Sequence, residues 1–176
     1  MAALTVFDRL ALHPFLADLP AGWLRQLAPL ARPVLRHAGY RLFREGGAAN
    51  HFWLLSSGAV ALDFPVPGRG DIVLERIEAG GVVGWSWLQA PYRWTLGAVV
   101  ADECQAVEFD APRVRRLMAD DPDLGKELTR RLFAVLADRL HASRVRIAEL
   151  YAYPSSQPGY SGSASGDVET PGMGKR

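Results

Sequence analysis

A single cysteine, four scattered histidines and a net charge of only +1 deprive this 176-residue chain of several common chemistries. Cys104, alone, excludes an internal disulfide and any multi-thiolate metal site. Its segment ECQAVEF alternates as a strand does, which gives the thiol a small packing role. His13, His37, His51 and His141 include no pair at i, i+4 spacing, so the sequence displays neither a metal site nor a Cys/His dyad. There is no Gly-x-Ser-x-Gly elbow, no phosphate loop and no HExxH, and we expect no enzyme and no metal. Near-neutral charge supplies no field for phosphate neutralisation, so no direct nucleic-acid binding is expected. No apolar run reaches membrane-spanning length, and Asp8 stands where a secretory signal would be basic or apolar. A cytoplasmic protein with no membrane partner follows as the expectation.

What is present suffices for a core. Hydrophobic residues make up 49% and charged ones 22%, as in an ordinary globular domain, and the length suits one domain better than two. From His13 to Leu35, apolar residues recur every three or four positions between Pro14, Pro20, Pro29 and Pro33, predicting short helices. From Tyr40 the rhythm changes to short apolar runs punctuated by turn residues: YRLF, HFWLLSSG, AVALDF, DIVLERI, VVGWSWL, TLGAVV and QAVEF. These predict many short strands in a barrel or sandwich, with a tight turn at Pro65–Asp71. The fold class expected is α+β, an antiparallel β-roll of jelly-roll type with short N-terminal helices and a long C-terminal helix.

That last helix is expected over about 121–152, with Asp121 as cap and Pro122 in its first turn. Thr129, Phe133, Leu136, Leu140, Ser143, Ile147 and Leu150 follow spacings of four and three, a heptad seam, while Leu124, Leu128, Leu132 and Val135 form a second stripe. Two stripes need two covers: one packs on the barrel, and the seam of Thr129, Phe133, Leu136, Leu140, Ile147 and Leu150 meets a partner helix in a homodimer. The alternative is one broad face covering the barrel. Arg130, Arg131, Arg139, Arg144 and Arg146 read as a solvated face broken by acidic neighbours. Residues 153–176, rich in Gly, Ser and Pro, read as a disordered tail, leaving 1–152 as the domain.

The order of helices, glycine-punctuated strands and one long helix resembles the cyclic nucleotide-binding domains. AGYRLFREGGAANHFWLLSSGAVAL carries Gly39, Glu45-Gly46 and Gly58 where that family's β-roll has them. Gly80-Gly81-Val82-Val83-Gly84 resembles the start of its phosphate-binding cassette, and CQAVEFDAPRVRRLM its exit strand and short helix. The resemblance runs from about Leu12 to Leu150 and is nearest to sensor domains of the catabolite activator (Crp-Fnr) regulators. It implies a non-enzymatic, ligand-sensing regulatory module, here without a helix-turn-helix after the long helix, and a ligand that is a cyclic nucleotide or another anionic, ring-containing molecule.

The cassette departs from the family at its two gripping positions. The resemblance places Trp85 where a ribose-binding Glu belongs and Thr95 where a phosphate-binding Arg belongs, with Arg93 two residues early, roughly 6–7 Å along the strand. Losing the carboxylate alone would weaken a cyclic nucleotide by about tenfold to a hundredfold. Two arrangements follow. Trp85, Trp87 and Trp94 either fill the emptied pocket as core, giving a protein-interaction or scaffold module, or line a remodelled site with Arg93 as its anchor, the arrangement we expect here. The candidate ligand-binding residues are thus Gly84, Trp85, Ser86, Trp87, Arg93, Trp94 and Thr95, with Ser143 on the long helix, which resembles the family's base-reaching hydroxyl or is a polar seam residue. A further alternative is the sensor part of a transcription regulator whose DNA reader comes from a partner.

Overall fold

The computed structural model describes residues 4–152; the expected tail, 153–176, lies outside the described residues. Thr5 caps the first helix, α1 (Val6–Leu12), in a reciprocal capping box with Asp8. A 3₁₀ turn (Pro14–Leu16), α2 (Ala21–Leu27) and a second 3₁₀ turn (Ala28–Leu30) follow, with the prolines at element starts as expected. The predicted helical stretch ends early, because Ala31–Arg36 is a strand, β1. It lies at a sheet edge, where Pro33 need not donate to a neighbour.

The remaining strands are β2 (Arg41–Phe43), β3 (His51–Val66), β4 (Gly70–Glu78), β5 (Val82–Val83) and β6 (Gly97–Asp110). All pair antiparallel, in the order β1-β6-β3-β4, with β2 on β6 and β5 on β3. HFWLLSSG and AVALDF, read as two runs, are one strand: Gly58 takes φ +73° and bends β3 instead of ending it. A Cβ there would fall 2.1 Å from the Glu103 carbonyl, so only glycine lets β3 cross β6 at this point. VVGWSWL keeps only Val82–Val83 as strand, the rest being turns.

Successive residues of β3 face opposite ways, and this sorts the aromatics. Phe52 stacks on Trp87 (4.4 Å between centroids) and Phe109 (4.6 Å), while Trp53 joins Phe43 (5.6 Å) and Trp94 (6.2 Å) on the other face. Cys104 is buried in β6, and burial pushes its thiol pKa up, as suits a packing residue.

After α3 (Ala111–Asp120), Asp121 accepts from the Leu124 amide and starts α4 (Pro122–Ala152). Up to Arg139 this helix belongs to the unit that contains the sheet. Leu124, Leu128 and Leu132 are buried in the core and Val135 packs against it, whereas Thr129 and Phe133 are exposed, Phe133 at 71%. Two of the helix arginines expected in solvent are not there. Arg131 donates to the Phe15 and Ala17 carbonyls, and Arg139 donates to the Val82 carbonyl beside Glu75. Burial lowers the Arg139 pKa, and Glu75 opposes the shift. Residues 140–152, the last turns of α4, form a second unit; within it Leu140, Ile147 and Leu150 are exposed and Ser143 is half-buried. Among the described residues no helix is long and apolar enough to cross a membrane.

Candidate functional site

Gly84 follows β5 in the left-handed region (φ +81°), where a side chain is disfavoured. In place of a side chain it has a neighbour: a Cβ on Gly84 would lie 2.8 Å from the Trp94 ring. Trp94 is 5% exposed and stacks on Phe43, centroids 3.9 Å apart and planes 14° from parallel. The space bounded by Gly84, Trp85, Ser86, Trp94 and Thr95 is about 10 Å³. That holds at most about one water.

Trp87, 3% exposed, lies on the opposite side of the sheet against Phe52 and does not join Trp94 in one pocket. Its indole N–H is buried and has no hydrogen-bond partner among the described residues. Its carbonyl accepts from Arg115 on α3 (2.7 Å), and the same guanidinium stacks over Tyr92 at 4.1 Å, fastening the cassette from below.

Arg93 was expected to anchor a ligand, but its Nη1 donates to the Gly46 carbonyl at 2.8 Å and it faces solvent. Backbone bonds extend this link: Gly46 N–H to Trp94 O (2.8 Å), Trp94 N–H to Gly47 O (2.9 Å) and Ala49 N–H to Tyr92 O (2.8 Å). Trp85 is half-buried, Ser86 buried and Thr95 exposed. The structure therefore brings Gly84, Trp85, Ser86, Trp94 and Thr95 together, but around a closed space. It separates Trp87 and Arg93 from them, and Ser143 belongs to the other unit. In this structure the space those five residues border is about 10 Å³, and Trp87 and Trp94 are both packed as core.

A larger concavity, about 470 Å³, opens where β1, β2 and the start of β3 meet. Across the sheet Arg32, Glu108 and Trp53 stand in register on neighbouring strands. Glu108, 7% exposed in its side chain, accepts from Arg32 Nε (2.7 Å), from Trp53 Nε1 (2.9 Å) and from Arg36 (3.4 Å). Burial alone would raise the Glu108 pKa, but the hydrogen bonds from Arg32 and Trp53 and the Arg32 charge hold it below the ordinary carboxylate value. None of these residues stood out in the sequence analysis. The available signal was ARPVLR, in which Arg32 and Arg36 alternate onto one face of a strand.

The profile of the cyclic nucleotide-binding domain family matches residues 35–121, which begin in β1 and run through the roll into α4's cap. The chain carries a cyclic nucleotide-binding domain. Over 130 residues it is 27% identical to the CRP-like cAMP-activated global transcriptional regulator of Mycobacterium tuberculosis, an alignment covering 74% of this chain and 54% of that protein. The chain thus spans about half the length of the curated relatives it matches. A solved structure of a candidate cyclic nucleotide-binding protein from Geobacter metallireducens superposes with a TM-score of 0.71 at 25% identity, covering 78% of this chain and all of that one. The cAMP-binding acyltransferase of Mycobacterium smegmatis superposes with a TM-score of 0.58 at 27% identity, covering 71% of this chain and 39% of that one. These matches show the jelly-roll architecture and the cyclic nucleotide-binding domain, within which the segment Gly84 to Thr95 joins β5 to β6.

Proposed function

We propose that this chain is a non-enzymatic regulatory module of the cyclic nucleotide-binding family, dimeric through the outer face of α4, whose cassette is closed by its own Trp94 and does not take a cyclic nucleotide. The observation that carries the reading is the Trp94 ring lying over Gly84, in a space of about 10 Å³. Small-molecule sites typically need about 300–1,000 Å³. The substitutions agree with the packing: Trp85 offers no carboxylate to a ribose and Thr95 no charge to a phosphate, so an opened cassette would still lack its two strongest contacts. Dimerisation is supported by the exposed apolar residues Phe133, Leu140, Ile147 and Leu150, a face that water does not favour.

Calorimetric titration tests the closed cassette. Cyclic AMP and cyclic GMP at millimolar concentration should give the wild-type chain no binding heat that Trp85→Ala removes. Binding tighter than about 100 μM that is abolished by Trp85→Ala would overturn the reading. Light scattering tests the dimer: Leu136→Glu with Leu140→Glu should give a folded monomer, and a wild type already monomeric at high micromolar concentration would refute the seam. A second reading, the sensor part of a transcription regulator whose DNA reader is supplied by a partner, is favoured by the name of the Mycobacterium tuberculosis relative. Under both readings the 176-residue chain by itself should not retard duplex DNA in a sequence-selective way.

A further inference from the structure

The geometry points to a second, open site: we propose that the 470 Å³ cleft between β1, β2 and the start of β3 binds a small organic anion with a flat apolar body, and that this cleft, not the cassette, is the effector site of the module. Its volume falls within the usual range for a small-molecule pocket. The floor is aromatic and apolar, with Phe43, Trp53 and Trp94 beneath a rim that carries Tyr40. The walls are cationic. Arg32, Arg36 and Arg44 line the cleft together with His51, against the two carboxylates of Glu45 and Glu108.

Glu108 is already committed to Arg32, Arg36 and Trp53. Two guanidiniums on one carboxylate leave a positive excess, and the Arg36 bond is the weakest of the set at 3.4 Å. The Arg36 side chain is 24% exposed; its Nη1 donates to the Leu35 carbonyl at 3.2 Å and its Nη2 holds only the long bond to Glu108. Its guanidinium lies over the Tyr40 ring at 5.0 Å, which places a charge beside a flat aromatic surface. Arg44, at the rim, enters no ion pair among the described residues. A carboxylate or phosphate meeting Arg36 and Arg44, with a ring resting against Tyr40 and the aromatic floor, would use all of these features.

Phe43 and Trp94 line both the cleft and the cassette space. A ligand in the cleft would therefore meet the same indole that plugs the cassette. That shared ring gives occupancy a route to the segment preceding β6. The inference extends the regulatory reading above, and the two fail separately: a closed cassette with no cleft ligand, and a cleft ligand with an open cassette, give different results below.

The test is titration of the full chain with salicylate, indole-3-acetate and adenosine 5′-monophosphate, followed by two-dimensional amide NMR, with inorganic phosphate as the ring-free control. At least one of the ring-bearing anions should bind in the micromolar to low-millimolar range and shift amides of residues 40–51 and 93–95, with phosphate at least tenfold weaker. Arg36→Gln and Arg44→Glu should each weaken that binding by about tenfold to a hundredfold. Arg44 and Tyr40 are exposed, so Arg44→Glu and Tyr40→Ala keep the test valid if Arg36→Gln disturbs Glu108. Trp85→Ala, on the cassette side, should leave it unchanged. Absence of binding by all three probes at 10 mM, about the weakest affinity such a site would have, overturns the proposal. So does binding unaffected by the arginine variants, and binding lost on Trp85→Ala would move the ligand to the cassette and overturn the closed-cassette reading as well.

Discussion

The cassette and the cleft are neighbours that share Phe43 and Trp94, yet one encloses about 10 Å³ and the other about 470 Å³. The difference lies in what occupies the space between strands. In the cassette, glycine at 84 removes a side chain and an indole takes the room. In the cleft, the wall residues include long arginines, two of them fixed on one shared carboxylate, so they border the space without filling it. Apolar rings close a cavity, because each gains contacts by approaching the next. Guanidiniums keep one open, because their charge favours water or an anion.

Removing the rings should break the first half of that contrast most severely. Trp87→Ala and Trp94→Ala should each lower stability by about 3–5 kcal/mol in urea denaturation, since both indoles are buried and stacked. A loss under 1 kcal/mol for Trp94→Ala would mean that its ring is not core.

Glu108→Gln should cost about 1–3 kcal/mol by leaving Arg32 and Arg36 facing each other without a counter-charge. The carboxylate's stabilisation has a pH signature as well. Its folded-state pKa is depressed, so the contribution is complete above the unfolded value near 4.5 and disappears as pH falls through the lower folded value; in Glu108→Gln this part of the acid transition should be missing. Gly84→Ala should destabilise by about 1–3 kcal/mol and shift tryptophan emission, because the added methyl meets the Trp94 ring in a backbone conformation that alanine disfavours. Tyr40→Ala, on the cleft rim, should change stability by less than about 0.5 kcal/mol.

His13 tests the fold beneath both sites. Its ring is buried, with Nε2 donating to the Leu55 carbonyl (3.0 Å) and Nδ1 accepting from the Phe15 amide (3.2 Å), so a second proton would face a donor. Burial depresses its pKa, and the Leu55 bond only partly compensates. The unfolded chain then takes up a proton first, and stability should fall as pH drops below the unfolded value of 6.5, levelling off below the folded value. In His13→Gln, denaturation midpoints between pH 7 and 5 should lose this slope.

The fold was largely legible in the sequence because it rests on period and punctuation: proline-bounded helices, apolar runs between turn residues, and a capped amphipathic helix whose inner stripe is buried as its spacing required. Two features misled. ARPVLR falls at the end of the proline-broken stretch that predicts short helices, yet it is a strand paired with β6, and Gly58 reads as a break between two runs where it is a bend. At the site, the glycine and the substituted positions were visible, but the direction of each ring was not. Trp85, Trp87 and Trp94 are close in sequence, and turns send Trp87 and Trp94 to opposite faces of the sheet. The cleft was invisible for the opposite reason, because Arg32 and Glu108 are 76 positions apart and meet only through strand register.

The hydrogen bonds between residues 46–49 and 92–94 have a consequence for protection against solvent exchange. Gly46, Ala49 and Trp94 each donate a backbone N–H across the same gap, and the Arg93 side chain closes it from outside. Displacing either segment breaks all three bonds at once, so these amides should exchange deuterium with one common opening free energy, higher than loops of similar exposure normally show. Two stretches separated by more than forty residues would then behave as a single cooperative unit, opening and closing together on the hydrogen-exchange timescale.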